Sequence, residues 1–345
     1  MKAITQDTYG TAAVLEVGDL DMPEIGDDQV LLRVEAAGVN PADWAIMGGL
    51  PYVARPVYGL RRPKNAVRGT DVAGIVQAVG SGATRYKIGD EVFGSANGSY
   101  AEYAAASEGT LAPKPANLSF EQAAAVPMAG QVALQALRGV EAGQKVLING
   151  ASGGIGTFAV QIAKALGAEV TAVASTRNLD MLRSIGADHV IDYTKDDFTL
   201  GEPGYDLILD NVSTRSLSDL RRALSPTGTL VPNGGRFDNR WFAGGGRIVG
   251  GTIAFQFSSQ TLRTFVMSTK LEDLLELTQL IEAGSVTPVI DRTYPLNETA
   301  SAMRHVGEGH ARGKTVIAVS AAPTAARPDA GTQAIPATAP MAVQS

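Results

Sequence analysis

The residues best suited to chemistry form the run Gly150-Ala151-Ser152-Gly153-Gly154-Ile155-Gly156. Its glycines let the backbone approach a bulky anion, because no Cβ stands in the way. The run follows the apolar stretch Val146-Leu147-Ile148 and precedes Phe158, Val160, Ile162, Ala163 and Leu166 at helical spacing. Strand, glycine turn and helix in that order leave free N–H groups and the positive end of a helix dipole at the turn. A pyrophosphate suits such a place. Taken alone, the run also reads as an ordinary glycine-rich connection between a strand and a helix.

A second set of residues narrows the ligand. Dinucleotide sites for NAD usually carry an acid about 20 residues beyond the glycines, on the adenine ribose 2′-hydroxyl. Here the stretch after Glu169–Ala174 reads Ser175-Thr176-Arg177-Asn178, with no acid. A carboxylate there would repel a 2′-phosphate, whereas hydroxyls and a guanidinium bind one through charge-assisted hydrogen bonds. Ser175 and Arg177 therefore favour NADPH over NADH. Arg177 has the plainer alternative of a solvated residue at a helix start.

The elements that must position these residues follow from pattern. Residues 1–110 carry short apolar runs separated by turn signals: Lys2–Thr5, Gln29–Ala36, Asp71–Val79, Glu91–Phe93 and Tyr100–Ala105. That spacing predicts a compact, barrel-like β domain. Asn40 precedes Pro41 and is expected to be extended, with Pro41 opening a short helix. Residues 48–69 read as a loop rich in Gly, Pro and Arg. Ser119 and Gln122 are spaced as a capping box, and Pro127 should split the helical segment after it. Beyond the glycine turn the chain alternates strand and helix, which predicts a parallel sheet with right-handed crossovers. A further strand is expected over Arg247–Ile253, and Leu271–Ala283 has the best amphipathic pattern, with Leu274, Leu277 and Ile281 on one face. Residues 321–345, mostly Ala, Pro and Thr, read as a disordered tail.

Composition bounds the function. The chain has 345 residues, 45% hydrophobic and 19% charged, with a net charge of −6, so two globular domains are expected rather than a nucleic-acid binder. The chain holds no run of 18 apolar residues, and its first residues read as a strand rather than a signal peptide. A cytoplasmic location is the simplest reading. With no cysteine, disulfides and thiolate metal sites are excluded. His189, His305 and His310 read as structural or exposed, so no metal site is expected.

Several stretches together resemble the medium-chain dehydrogenase/reductase superfamily, in its zinc-independent quinone-oxidoreductase-like branch. They are GVNPADW (38–44), GTDVAGIVQAVG (69–80), GDEVFG (89–94), SYAEYA (99–104), VLINGASGGIG (146–156), VASTRN (173–178), IGADHVIDY (185–193), YDLILDNV (205–212) and GKTVIAV (313–319). The resemblance implies an α/β protein with a GroES-like substrate domain at 1–118 and 286–320, and a doubly wound Rossmann domain at 119–285. It implies hydride transfer from NADPH to a quinone or α,β-unsaturated carbonyl. The alternatives are an enoyl-thioester reductase and a non-catalytic NADPH-binding protein. It also implies a homodimer, paired through an edge strand around 247–254.

The same resemblance carries roles to individual residues. Ser152, Gly153, Gly154, Ile155 and Gly156 go to the pyrophosphate, and Ser175 and Arg177 to the 2′-phosphate. Tyr193 goes near the adenosine phosphate, while Asn211 and Val212, with Gly234 and Gly235, end strands facing the cofactor. Lys314 is either a cofactor contact at the domain interface or a surface lysine. Asn40 is the candidate to touch the acceptor carbonyl or the nicotinamide ribose, unless it only holds the turn before Pro41. Asp43 orders that loop or caps the short helix, and Tyr52 is a donor from the 48–69 loop or a packing residue. Zinc-dependent relatives place Cys where Asn40 stands and Gly-His-Glu where Gly69-Thr70-Asp71 stands.

Overall fold

The computed structural model describes residues 1–201, 204–234, 240–241, 250–252, 254–256 and 258–320. The expected tail at 321–345 and Gly235 lie outside the described residues.

Two large sheets carry the chain. The first is built on the long strand Gln29–Val39. In its first half Val30, Leu32 and Val34 are buried and their neighbours half-exposed, the period of two expected of a strand with one covered face. Its last residues, Ala36 to Val39, are all buried, because both faces are covered there. Gly38 allows this, since a Cβ at that position would fall 2.4 Å from the Ala124 carbonyl oxygen. Gln29–Val39 pairs antiparallel with Asp71–Val79, Tyr103–Ser107 and Lys314–Ala318. The C-terminal strands Ile290–Pro295 and Lys314–Ala318 thus belong to the sheet begun near the N-terminus.

The second sheet is parallel, with the order His189–Asp192, Glu169–Ala174, Lys145–Asn149, Tyr205–Asp210, Leu224–Pro232, Thr261–Leu262. Numbered within the sheet, this is the doubly wound 3-2-1-4-5-6 arrangement. Val146, Leu147 and Ile148 are fully buried, as central parallel strands covered on both faces must be. Each such side chain contributes about 1.5–3 kcal/mol by leaving water. Ser119 accepts a hydrogen bond from the Gln122 N–H and Gln122 reciprocates, and the helical segment divides into Phe120–Ala124 and Pro127–Ala136 at the expected proline. Leu271–Glu282 buries Leu274, Leu277 and Ile281, the face read from its spacing.

One expected element is different. Residues 250–252, the described part of the strand expected over Arg247–Ile253, are helical. The reason is topological. Leu224–Pro232 and Thr261–Leu262 run parallel, so the chain between them must cross over the sheet, and a helix is the usual crossover. Gly251 lies against that crossover's strand, with Leu262 Cδ2 2.8 Å from where its Cβ would be. The edge strand expected around 247–254 for dimer pairing is likewise absent at 250–252 and 254.

Candidate active site

The glycine turn lies where the sequence puts it. Gly150, with φ of 75°, leaves Lys145–Asn149, and a Cβ on it would meet Val212 Cγ2 at 2.6 Å. Gly153, extended at φ −80°, is the cap of helix Gly154–Ala165. A Cβ at Gly153 would have only the Gly150 carbonyl oxygen within reach, at 3.6 Å, so its outer side is open. At Gly156 a Cβ would fall 2.3 Å from the Gly150 carbonyl oxygen, which is why the turn closes only on glycine.

The neighbouring strand ends gather around this turn. Asn178 donates from Nδ2 to both Ser152 Oγ (3.0 Å) and Ser175 Oγ (3.2 Å), tying the turn to the end of Glu169–Ala174. Tyr193 follows the next strand, its N–H on the Ala174 carbonyl and its side chain exposed. Asn211 and Gly234 meet at the ends of their strands, where a Cβ on Gly234 would fall 2.4 Å from the Asn211 carbonyl oxygen. Arg177 points outward from the serines and donates to the His310 carbonyl at 3.0 Å. Asp192 stands near the same turn. Hydrogen bonds from Thr176 and Thr194 hold its carboxyl down to about 2.

Two buried polar atoms at this sheet end, Asn178 Oδ1 and Asn211 Nδ2, have no hydrogen-bond partner among the described residues. Unsatisfied buried groups are rare and call for a missing partner. Together with the open glycine face at a helix start, they fit a dinucleotide lying across the ends of the strands.

The other half of the site comes from the first sheet. Asn40 (2% exposed) caps helix Pro41–Met47, and its N–H donates to Asp43 Oδ2 at 2.9 Å. Its amide Nδ2 donates to Asp71 Oδ2 at 3.0 Å, and its side-chain oxygen accepts from Lys314 Nζ. Lys314 Nζ also lies 3.4 Å from Asp71 Oδ2. Asp71, fully buried at the start of its strand, takes a third contact on Oδ1 from the Met128 N–H, at 3.2 Å. Asn40, Asp71 and Lys314 are thus one closed network.

Asp43 connects that network to a cavity. Its Oδ2 accepts from Tyr100 OH at 3.0 Å and its Oδ1 from Thr70 Oγ1 at 3.4 Å. Burial, and then the charge of nearby Asp71, raise its carboxyl to about 6. Burial likewise raises Asp71 against the pull of Lys314, and raises the Tyr100 hydroxyl well above its ordinary value. Asp43 and Thr70 line a cavity of about 290 Å³ whose other walls include Ile46, Tyr58, Lys64 and Arg68.

Besides contacts such as Met128 to Asp71, the halves meet at Gly313 and Lys314. The Gly313 N–H donates to the Ser152 carbonyl at 2.8 Å, and Gly313 bridges Gly153. The next residue, Lys314, passes Gly154, with Cδ 2.9 Å from where a Cβ would be, and ends on Asn40.

Of the residues singled out by sequence, Asn40 and Asp43 come together and Tyr52 does not join them. Tyr52 packs instead on Arg240 and Trp241. Its N–H donates to the Arg240 carbonyl at 2.8 Å, and its ring meets Trp241 edge-on at 5.4 Å. Asp71, Thr70, Tyr100 and Asn178 were not assigned from sequence, although each lies in a quoted stretch. A charged residue opening the otherwise uncharged strand Asp71–Val79 is the signal for Asp71. For Lys314 it is a lysine beside Thr-Val-Ile-Ala, and the structure removes the surface reading: Lys314 is 3% exposed, against Asn40 and Asp71.

Known proteins share this architecture. Residues 26–116 match the alcohol dehydrogenase GroES-like domain, and residues 185–317 match a domain described as zinc-binding dehydrogenase. The chain is 33% identical over 334 residues to the chloroplast envelope quinone oxidoreductase homolog of Arabidopsis thaliana, covering 92% of this chain and 98% of that protein. It is 32% identical over 339 residues to the NADPH-dependent alkenal/one oxidoreductase of the same plant, covering 92% and 79%. The structure of the quinone oxidoreductase from Coxiella burnetii superposes with a TM-score of 0.81 at 32% identity, covering 92% and 99%. No helix among the described residues is long and apolar enough to cross a membrane. The chain belongs to the medium-chain dehydrogenase/reductase superfamily, in its quinone-oxidoreductase-like branch.

Proposed function

We propose that this protein is an oxidoreductase that passes a hydride from NADPH to a quinone or an α,β-unsaturated carbonyl. The observation that carries this reading is the joint at Gly313-Lys314, which sets the glycine turn against Asn40 and the cavity at Asp43 and Thr70. When bound, NADPH supplies the hydride. The protein supplies placement. Relatives named as quinone and alkenal/one oxidoreductases support the acceptor class.

In this reading Ser152 to Gly156 hold the pyrophosphate, Ser175 and Arg177 the 2′-phosphate, and Tyr193, Asn211, Val212 and Gly234 line the cofactor's path. Asn40 acts as a positioning residue, since its side chain is already committed to Asp71 and Lys314. Asp43 holds a proton on its carboxyl, and Thr70 Oγ1 relays it to the reduced acceptor in the cavity. The substrate domain comprises residues 1–118 and 286–320 and the cofactor domain 119–285. We also propose a homodimer.

Zinc does not fit here. The sequence has no cysteine, and the Lys314 ammonium is hydrogen-bonded to Asn40 and close to Asp71, at the positions where zinc-dependent relatives carry Cys and Glu. A fixed cation in that place repels a metal ion. The reaction is therefore proposed to proceed without one.

The test is NADPH oxidation by the purified protein, followed at 340 nm against a panel of enones and quinones. Turnover of at least one acceptor is expected. Tight NADPH binding with no oxidation by any acceptor would favour a non-catalytic binding protein. Turnover confined to enoyl thioesters would favour the thioester reductase.

A further inference from the structure

The stretch lining the acceptor cavity is strongly basic. Residues 52–70 hold Arg55, Arg61, Arg62, Lys64 and Arg68 and no acid, in a chain whose net charge is −6. None of the five is ion-paired among the described residues. Arg55 has a structural task, stacked over the rings of Tyr9 (4.8 Å) and Tyr52 (4.5 Å). The others do not. Arg62 is exposed, and Lys64 is exposed with only the Pro56 carbonyl at 3.3 Å.

Arg68 is the unusual member. It is 8% exposed, its Nη2 donates to the Asn65 carbonyl, and its Nε has no partner among the described residues. Burial lowers its basicity, with the nearby Asp43 charge opposing. A buried cation lacking a full set of partners is costly unless something supplies the missing charge. Asp43 lends Arg68 its charge but no hydrogen bond, because its carboxyl oxygens already serve Tyr100, Thr70 and the Asn40 N–H.

The space beside these cations has a direction. The inner cavity, about 290 Å³, reaches Asp43 and Thr70 and has Lys64 and Arg68 in its walls. A second cavity of about 430 Å³ is lined by Gln6, Asp7 and Arg62, and Lys64 lines it as well. Lys64 is thus shared by both, and positive charge runs from the reacting end outward to Arg62.

We propose that the acceptor is an electron-poor alkene or quinone bearing an anionic oxygen group, a carboxylate or a phosphate, which Lys64 and Arg68 hold while the reducible end lies at Thr70. This rests on the reductase reading above and names the substrate class for the same site. Two oxygens of such a group match the donors of Arg68 in pairs, and Lys64 adds a point charge.

The test compares 1-octen-3-one with 6-oxo-oct-7-enoate, an enone of equal length ending in a carboxylate. Crotonyl-coenzyme A and crotonyl N-acetylcysteamine provide the phosphate arm. The kcat/KM of one charged member is expected to exceed that of its neutral partner at least tenfold, and the excess should shrink as salt rises. The arm that shows the excess identifies carboxylate or phosphate. In Lys64→Ala that ratio should fall towards one, and Lys64→Arg should restore it. Turnover of the neutral acceptors with no preference for either charged partner would overturn this proposal and leave the reductase reading standing. A preference unchanged in Lys64→Ala would also overturn it. No turnover of any of the four, or of a quinone, would overturn both.

Discussion

The ammonium of Lys314 is hydrogen-bonded to the side-chain oxygen of Asn40, 274 residues earlier in the chain. Lys314 follows Gly313, whose N–H is bound to the Ser152 carbonyl in the glycine turn. One short stretch therefore ties the glycine turn to Asn40.

The Asn40–Asp71–Lys314 network should behave as a unit. Lys314→Met leaves the fully buried Asp71 without its cation, and losing one partner of a buried pair costs about 3–5 kcal/mol. Asp71→Asn in the same background removes the stranded charge and should recover a large part of that loss. A denaturation double-mutant cycle should give a coupling above about 1 kcal/mol. Additive losses would mean the pair is not coupled.

Asp43 predicts a specific pH dependence. Its folded-state carboxyl, raised to about 6, binds its proton more tightly than in the unfolded chain, where 3.8 applies. The folded state therefore carries the extra proton between those values, and this contribution to stability is full below pH 3.8 and lost as pH rises through 6. Asp43→Asn lacks the titration, so its stability relative to the parent should improve by about 1 kcal/mol between pH 5 and pH 7. For catalysis, a proton held on Asp43 makes kcat with enones fall above about pH 6. Asp43→Asn and Thr70→Val should each reduce kcat by about 10²-fold and flatten that fall. An unchanged pH profile would remove Asp43 from the proton path.

Gly153→Ala separates cofactor binding from folding. Its φ of −80° suits any residue, and the added methyl meets protein only at 3.6 Å. Thermal stability should stay within a degree or two, while NADPH binding weakens by about tenfold or more, roughly 1.4 kcal/mol. Full affinity in this variant, read by quenching or calorimetry, would show that the pyrophosphate lies elsewhere.

Ser175→Ala with Arg177→Ala tests the 2′-phosphate site. The double variant should lose most of its preference for NADPH over NADH. The outward hydrogen bond of Arg177 to His310 requires that guanidinium to turn towards the cofactor, so the NADPH affinity of Arg177→Ala alone reports how much it contributes.

The glycine turn, the parallel alternation and the capping box at Ser119 were legible because they are local: each is written in the spacing of a few residues. Asp71 and Lys314 were not, since their pairing spans 243 residues and nothing in either neighbourhood names the other. The crossover at 250–252 was misread for a related reason. The Ile and Val residues of the wider stretch 247–253 favour a strand locally, and only the parallel pairing of Leu224–Pro232 with Thr261–Leu262 demands a helix at 250–252. Tyr52 was read as a possible donor from its loop, and its packing on Trp241 depends on a segment nearly 190 residues away.

The most direct measurement is isotope tracing with NADPH deuterated at the transferable position of C4, using an enone acceptor and NMR of the product. Direct hydride transfer predicts deuterium on the former β-carbon and a solvent proton on the α-carbon. Reduced product without deuterium at the β-carbon, or NADPH oxidised with no reduced product formed, would contradict the proposed reaction.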